Sequence, residues 1–556
     1  MKDLRFHGTG FPPFIYAIIC VFLLGSSPAI TEHNHSSTDS KAAVLMSGLG
    51  QHHHPVSTKN AEAQRFFDQG FTFIYAFNHD EAIRSFKRAA ELDPNLAMAY
   101  WGIGHALGPN INLPVDPERE KAAYEAVQKA LDLSKNAPEQ ERAYIEALAK
   151  RYSIDPKADL YKLAVDYKNA MGELVKRYPD DLDAATLYAE SGMNLRPWQL
   201  WNKDGTPAEG TEEIVAVLES VLKRNPGHIG ANHYYIHAVE ASLHPERALP
   251  SAERLTTLVP AAGHLVHMPA HIYMRTGDYK NAAIRNQVAA EADEEYIKSY
   301  DIQGIYPLMY YSHNLHFLAV ANSMQGRFSD AKKAADQLEA HVSPYVKEMP
   351  MLEFFVPTST LILVGFNRWE DILRSPKPDP SMLLTTAVWH FARGTAYAAN
   401  GKLRSAQRER KLFVDVKNRI PADAMWDLNS TNNVLGIAEN VLDAKIAITK
   451  GDKKSAIELL RKAAETEDAL NYAEPSGWYI PVRESLGGAL FMSGNYSEAE
   501  KVFRTDLEKN PRSGRSLFGL MESLKAQKKN YEARLVQTEF EAAWKNADTQ
   551  LRVKDL

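Results

Sequence analysis

Cysteine is nearly missing from this 556-residue chain: the single one, Cys20, falls in an apolar stretch near the start. The chain beyond it therefore has no disulfide, no thiolate metal site and no thiol nucleophile. A basic excess is missing too. The formal net charge is −6 and no Lys/Arg run occurs, which excludes nucleic acid as a partner bound through a basic patch. There is no Gly-x-Ser-x-Gly, phosphate-binding loop or dinucleotide-binding glycine set, so the chemistries those motifs carry are excluded. Past residue 29 no segment is apolar enough to span a bilayer, and no strand-like alternation runs for a useful length.

What remains is ordinary globular material, 45% apolar and 24% charged, in a chain too long for one compact core. Several domains or a repeat array are expected. Residues 1–29 read as a secretory signal: Lys2 and Arg5 flank the apolar stretch 11–25, and small residues precede a cleavage near Ala29. Export to the periplasm or the medium follows as the expectation, with no membrane attachment after cleavage. Retained as an anchor, the stretch is short for a bilayer span. Residues 30–60 are polar and His-bearing and are expected to form a loose lead-in. His52, His53 and His54 there could act as a flexible metal-catching arm.

Internal repeats organise the rest. In residues 63–94 small residues stand at Gly70, Ala82 and Ala89, aromatics at Phe66, Phe73 and Phe86, and Pro94 closes the segment. Counted from Ala63, Gly70, Ala82, Ala89 and Pro94 occupy positions 8, 20, 27 and 32. This pattern resembles the tetratricopeptide repeat (TPR), a 34-residue helix–turn–helix whose small residues let two helices approach. The frame recurs at Ala270, Ala282 and Ala289, at Ala456 and Ala463, and at Ala499 and Phe503, with fainter copies elsewhere. The resemblance implies an all-α, right-handed solenoid that buries its core between neighbouring repeats. The expected division is an N-terminal array over 61–345, a C-terminal array over 346–546 and a tail over 547–556. Two insertions interrupt it, at 108–118 and 196–210.

In the family that the pattern resembles, positions 2, 5, 9 and 12 of each first helix face the concave groove. Spacings of three and four residues share one helix face in any case. Three successive repeats, starting at 229, 263 and 312, place His233, His237, Glu240, His264, His267, His271, His313 and His316 at such positions. Seven of the twelve groove positions are thus histidine, although the whole chain has only 19 histidines. Imidazole is the commonest metal-binding side chain, and the i, i+4 pairs His233/His237 and His267/His271 have a chelating spacing. Pro269 breaks the helix rule in their midst. Glu190, one repeat upstream, and Glu240 are candidate ligands, orienters or general bases. Tyr234, Tyr235, Tyr273, Tyr310 and Tyr311 surround the cluster in sequence, and Trp198 and Trp201 could close over it. His105 also falls on a groove position, whereas His79, His228, His244, His341 and His390 fall off it and read as structural.

The expected function is an exported protein that binds one or two transition-metal ions in this groove. Copper is favoured over iron or zinc because the donors are imidazoles without thiolates. A metal-dependent oxidoreductase acting on a small molecule or peptide is expected. The alternatives are a non-catalytic scaffold for protein or peptide binding, a metal storage or delivery protein, or a zinc hydrolase. The C-terminal repeats carry no such cluster. Their groove positions Lys445, Glu484, Arg515 and Glu522 read as a charged face for a protein partner.

Overall fold

A computed structural model describes residues 43–556. The expected signal, Cys20 and the first part of the lead-in lie outside the described residues. Consecutive helices pair antiparallel along the chain, beginning with Ala61–Tyr75 and His79–Leu92 and ending with Gly514–Ala526 and Asn530–Ala543. The one sheet among the described residues is a two-residue hairpin, Met425–Trp426 with Asn429–Ser430. The chain is an all-α array of helix pairs, and among the described residues no helix is long and apolar enough to cross a membrane.

The reason for the small residues is visible in the first pair. The fully buried Phe86 ring fills the space where a Cβ on Gly70 or Gly102 would lie, 2.8 Å and 2.6 Å from the ring atoms. One aromatic thereby locks its own helix against the helix before and the helix after. Starts are fixed by side-chain caps: Asn60 accepts from the amides of Glu62 and Ala63, and Asp181 from that of Ala184.

One expectation about the chain ends changes. Residues 43–60 are not a loose lead-in. Ala43, Leu49, His54 and Val56 are buried, and the Ser57 hydroxyl donates to Glu141 at 2.7 Å. Polar composition misleads here because the segment satisfies its backbone on neighbouring helices instead of on itself. The tail also packs down: Asp548 accepts from the amides of Phe328 and Ser329, and Leu556 is buried. The apolar core runs across residue 345, with Phe317 and Ala335 in the same cluster as Leu361 and Ala387.

The charged C-terminal face is largely self-satisfied. Glu484 pairs with Arg515 at 2.6 Å, and Arg515 also donates to the carbonyls of Gly365 and Asp555. Lys445 lies over the Trp369 ring, and Glu522 pairs with Lys525.

Candidate metal centre

Three short first helices carry the histidines. Ile229–Val239 is buried along its whole length and supplies His233 and His237. The next first helix is split into Gly263–His267 and Pro269–Arg275, because Pro269 has no amide hydrogen to continue the ladder. His264 and His267 precede the break and His271 follows it. The third, Ser312–Met324, is entered through a π-helical turn, Pro307–Tyr311, which resets the register just before His313.

Six of the seven expected histidines converge in two sets of three. One set is His233, His237 and His264, and the other is His267, His271 and His313; within each, the ligand atoms lie within 4.8 Å of one another. The two sets adjoin, with the His237 and His271 rings 5.5 Å apart and the His264 and His267 rings 5.9 Å apart.

The far side of most rings is held by an acceptor. His233 Nδ1–H donates to the Tyr75 carbonyl at 2.6 Å, and His237 Nδ1–H to Glu240 Oε1 at 2.8 Å. His267 Nδ1–H donates to Asn286 Oδ1 at 2.6 Å, and His271 Nδ1 lies 2.6 Å from Glu240 Oε2. Asn286 is itself fixed, because its amide nitrogen donates to the Ala282 carbonyl. A carbonyl or carboxylate only accepts, so the three hydrogen bonds place the proton of His233, His237 and His267 on Nδ1 and turn their Nε2 inward. His233 Nε2 faces His264 Nε2 at 3.1 Å, and His267 Nε2 faces His271 Nε2 at 2.8 Å. His237 Nε2 is buried without any partner.

Burial, reinforced by neighbouring imidazoles, holds His233, His264, His267 and His313 well below the usual histidine range. They are neutral at physiological pH, so each keeps one ring nitrogen able to act as a ligand. His271 differs: burial opposes its charge, but Glu240 outweighs burial and raises it. Crowded Nε2 atoms with fixed Nδ1 protons are the arrangement in which a cation relieves lone-pair repulsion and satisfies the buried donors together. One phenyl ring packs on each set: Phe77 on His233, His237 and His264, and Phe317 on His267, His271 and His313. Phe77 holds a left-handed backbone, φ 54°, which is uncommon for a bulky residue.

Other expected residues fall differently. His316 joins neither set and lies among Phe354, Phe355 and Tyr479, where burial pushes it down to about 3. Glu190 does not reach the histidines. It accepts from Asn194, and its charge is countered by Arg151. Glu240 is at the heart of the centre, buried between the two sets. His105 is buried against Trp101 with neither ring nitrogen bonded. Tyr310 lies edge-on to His264 and Tyr234 packs on His233, whereas Tyr235 and Tyr311 donate to Glu219 and Glu294 instead.

Trp198 meets His237 edge-on at 5.5 Å, and with Trp201 and Tyr472 it closes a cavity of about 20 Å³ beside His237 and Glu240. Sequence reasoning missed Glu474. Its carboxylate comes from the C-terminal repeats, accepts from Tyr472 at 2.6 Å and lies 3.9 Å from His271 Nδ1. Burial raises it above the ordinary carboxyl range. No spacing rule links it to residues two hundred positions earlier. Asn286 and the Tyr75 carbonyl were missed for the same reason.

No protein-family model matches the chain, and no curated protein matches it. Among solved structures, the human IFIT1 dimer with PPP-AAAA is 14% identical over 88% of this chain and 92% of that one, with a TM-score of 0.31. Yeast Tom70 is 14% identical over 86% of this chain and 97% of that one, with a TM-score of 0.32. Similarity at this level carries no functional argument.

Proposed function

We propose that the chain is a dinuclear transition-metal protein. His233, His237 and His264 hold one ion, His267, His271 and His313 hold the other, and Glu240 orients a ligand of each. The observation that carries this reading is the paired geometry: two adjoining three-imidazole sets, in which Nδ1 of His233, His237, His267 and His271 faces outward to Tyr75, Glu240 and Asn286. An all-imidazole donor set without thiolate suits copper first, then iron or zinc. A redox metal there would supply one-electron chemistry to a small molecule, which makes an oxidoreductase the favoured activity. The chain's own contribution is a dry, aromatic-walled site in which Glu240 keeps two imidazoles in their donor tautomer. A cavity of about 20 Å³ admits a molecule the size of water or dioxygen. A larger substrate requires Trp198 to move, and a peptide does not fit as the groove stands. Trp198 carries a left-handed φ of 60°, a strained geometry suited to a closing residue.

The same small cavity favours one second reading, storage or delivery of the metal. Elemental analysis of untagged protein tests the centre. Metal bound by the parent, with one or two equivalents lost in a His267→Ala/His271→Ala variant, supports it. No retained metal after exposure to Cu, Fe, Zn and Mn in turn refutes it. Oxygen consumption by the copper-loaded protein in the presence of a reductant or phenol then separates an oxidoreductase from a store.

A further inference from the structure

One histidine motif of the sequence stands apart from both imidazole sets. Residues 50–57 form one wall of an open cavity of about 1490 Å³, facing Glu141, Tyr144, Asp181, Asp183 and His228. Asp183 is the hub. Its Oδ2 lies 2.8 Å from His54 Nδ1, and its Oδ1 accepts from the Tyr75 hydroxyl at 2.7 Å. His228 Nε2 approaches the same Oδ1 at 3.2 Å. The ion-pair contacts of Asp183 are with His52, His54 and His228, and these imidazoles outweigh burial to hold its carboxyl well below the usual range.

A structural staple accounts for part of this. His228 Nδ1 accepts from the Ala231 amide, so its Nε2–H is committed to Asp183. It does not account for His52. That side chain is 9% exposed, its Nε2 has no hydrogen-bond partner, and it faces Asp183 Oδ1 at 3.6 Å. Ligand atoms of His54, Asp181 and Asp183 also lie within 4.8 Å of one another. A buried imidazole nitrogen left unpaired beside a carboxylate costs desolvation that a shared cation would recover.

We propose that this cavity holds a further metal site, separate from the six-imidazole centre, in which Asp183 and His54 ligate one divalent cation and Asp181 and His52 complete the donor set. Mixed carboxylate and imidazole donors suit zinc, manganese or iron(II) better than copper. The cavity leaves the ion accessible to an oxygen-donor ligand. Tyr75 ties the two regions together, its hydroxyl on Asp183 and its carbonyl on His233.

The test is a Co²⁺ titration of the metal-stripped full chain, read by visible absorption and elemental analysis. The His52→Ala/His54→Ala variant is expected to take up one equivalent fewer than the parent, and equal uptake overturns the proposal. If the six-imidazole centre binds nothing, the parent takes up one equivalent and the variant none, so the two readings fail separately. A second measurement uses the parent alone, in case the variant does not fold. Saturating Zn²⁺ is expected to slow diethyl pyrocarbonate modification of His52 and His54 at least tenfold, with the exposed His53 as the internal control. Unchanged modification overturns the proposal.

Discussion

Glu240 contacts His237 with one carboxylate oxygen and His271 with the other, so one buried side chain orients a member of each imidazole set. The two sets are therefore not independent. Replacing Glu240 with Gln keeps the shape but presents a donor to one of the two rings. Orienting partners of metal-bound histidines are typically worth about 10–100-fold in affinity. Glu240→Gln is expected to weaken both ions by that factor, read by competition with a chelator of known affinity. Weakening of one ion alone would show that Glu240 serves a single set.

Asn286 gives the selective counterpart. It touches His267 and neither His233 nor His237. Asn286→Leu should weaken one equivalent by about 10–100-fold and leave the other unchanged. Equal loss at both would mean the centre assembles as a unit.

Pro269 separates His264 and His267 from His271 by a helix break. Pro269→Ala restores the missing amide and lets the helix run straight. Thermal stability should hold or rise while metal occupancy falls, because losing the kink shifts the segment that carries His264 against the one that carries His271. A variant with full occupancy would show that the break is dispensable.

Phe86 is fully buried between Gly70 and Gly102. Phe86→Ala should cost about 3–5 kcal/mol, the usual cost of truncating a buried phenylalanine. Urea unfolding gives the value, and a loss under 1 kcal/mol would mean that the two glycine-bearing helices collapse onto the gap.

Far from the histidines, burial with help from Asp506 pushes Glu467 up from 4.5 to about 8. Between those values the native state holds a proton that the unfolded chain has released. Its contribution to stability is thus fully present below about pH 4.5 and is lost as pH rises through about 8. Glu467→Gln should flatten the fall in unfolding midpoint between pH 5.5 and 8. An identical fall in parent and variant refutes the assignment.

Much of this was legible in the residues. Helix pairing followed from small residues at Gly70, Ala82, Ala270 and Ala282, since only a small side chain lets two helices close. The i, i+4 spacing put His233 with His237 and His267 with His271, because helical periodicity decides which side chains share a face. Periodicity does not decide what the next helix presents to that face. His313 and His316 are three residues apart on one helix, yet one meets His267 and the other an aromatic pocket brought in by Phe354, Phe355 and Tyr479. Glu190 is bonded to Asn194 instead of joining the histidines. Glu474, Asn286 and the Tyr75 carbonyl joined the centre, and residues 43–60 joined the core, through contacts between distant segments. Local spacing by itself determined the helices and the histidine stripe. The tautomers, the division into two sets and the carboxylate between them were decided by tertiary packing, since hydrogen-bond partners come from whichever chain segment the fold brings within about 3 Å.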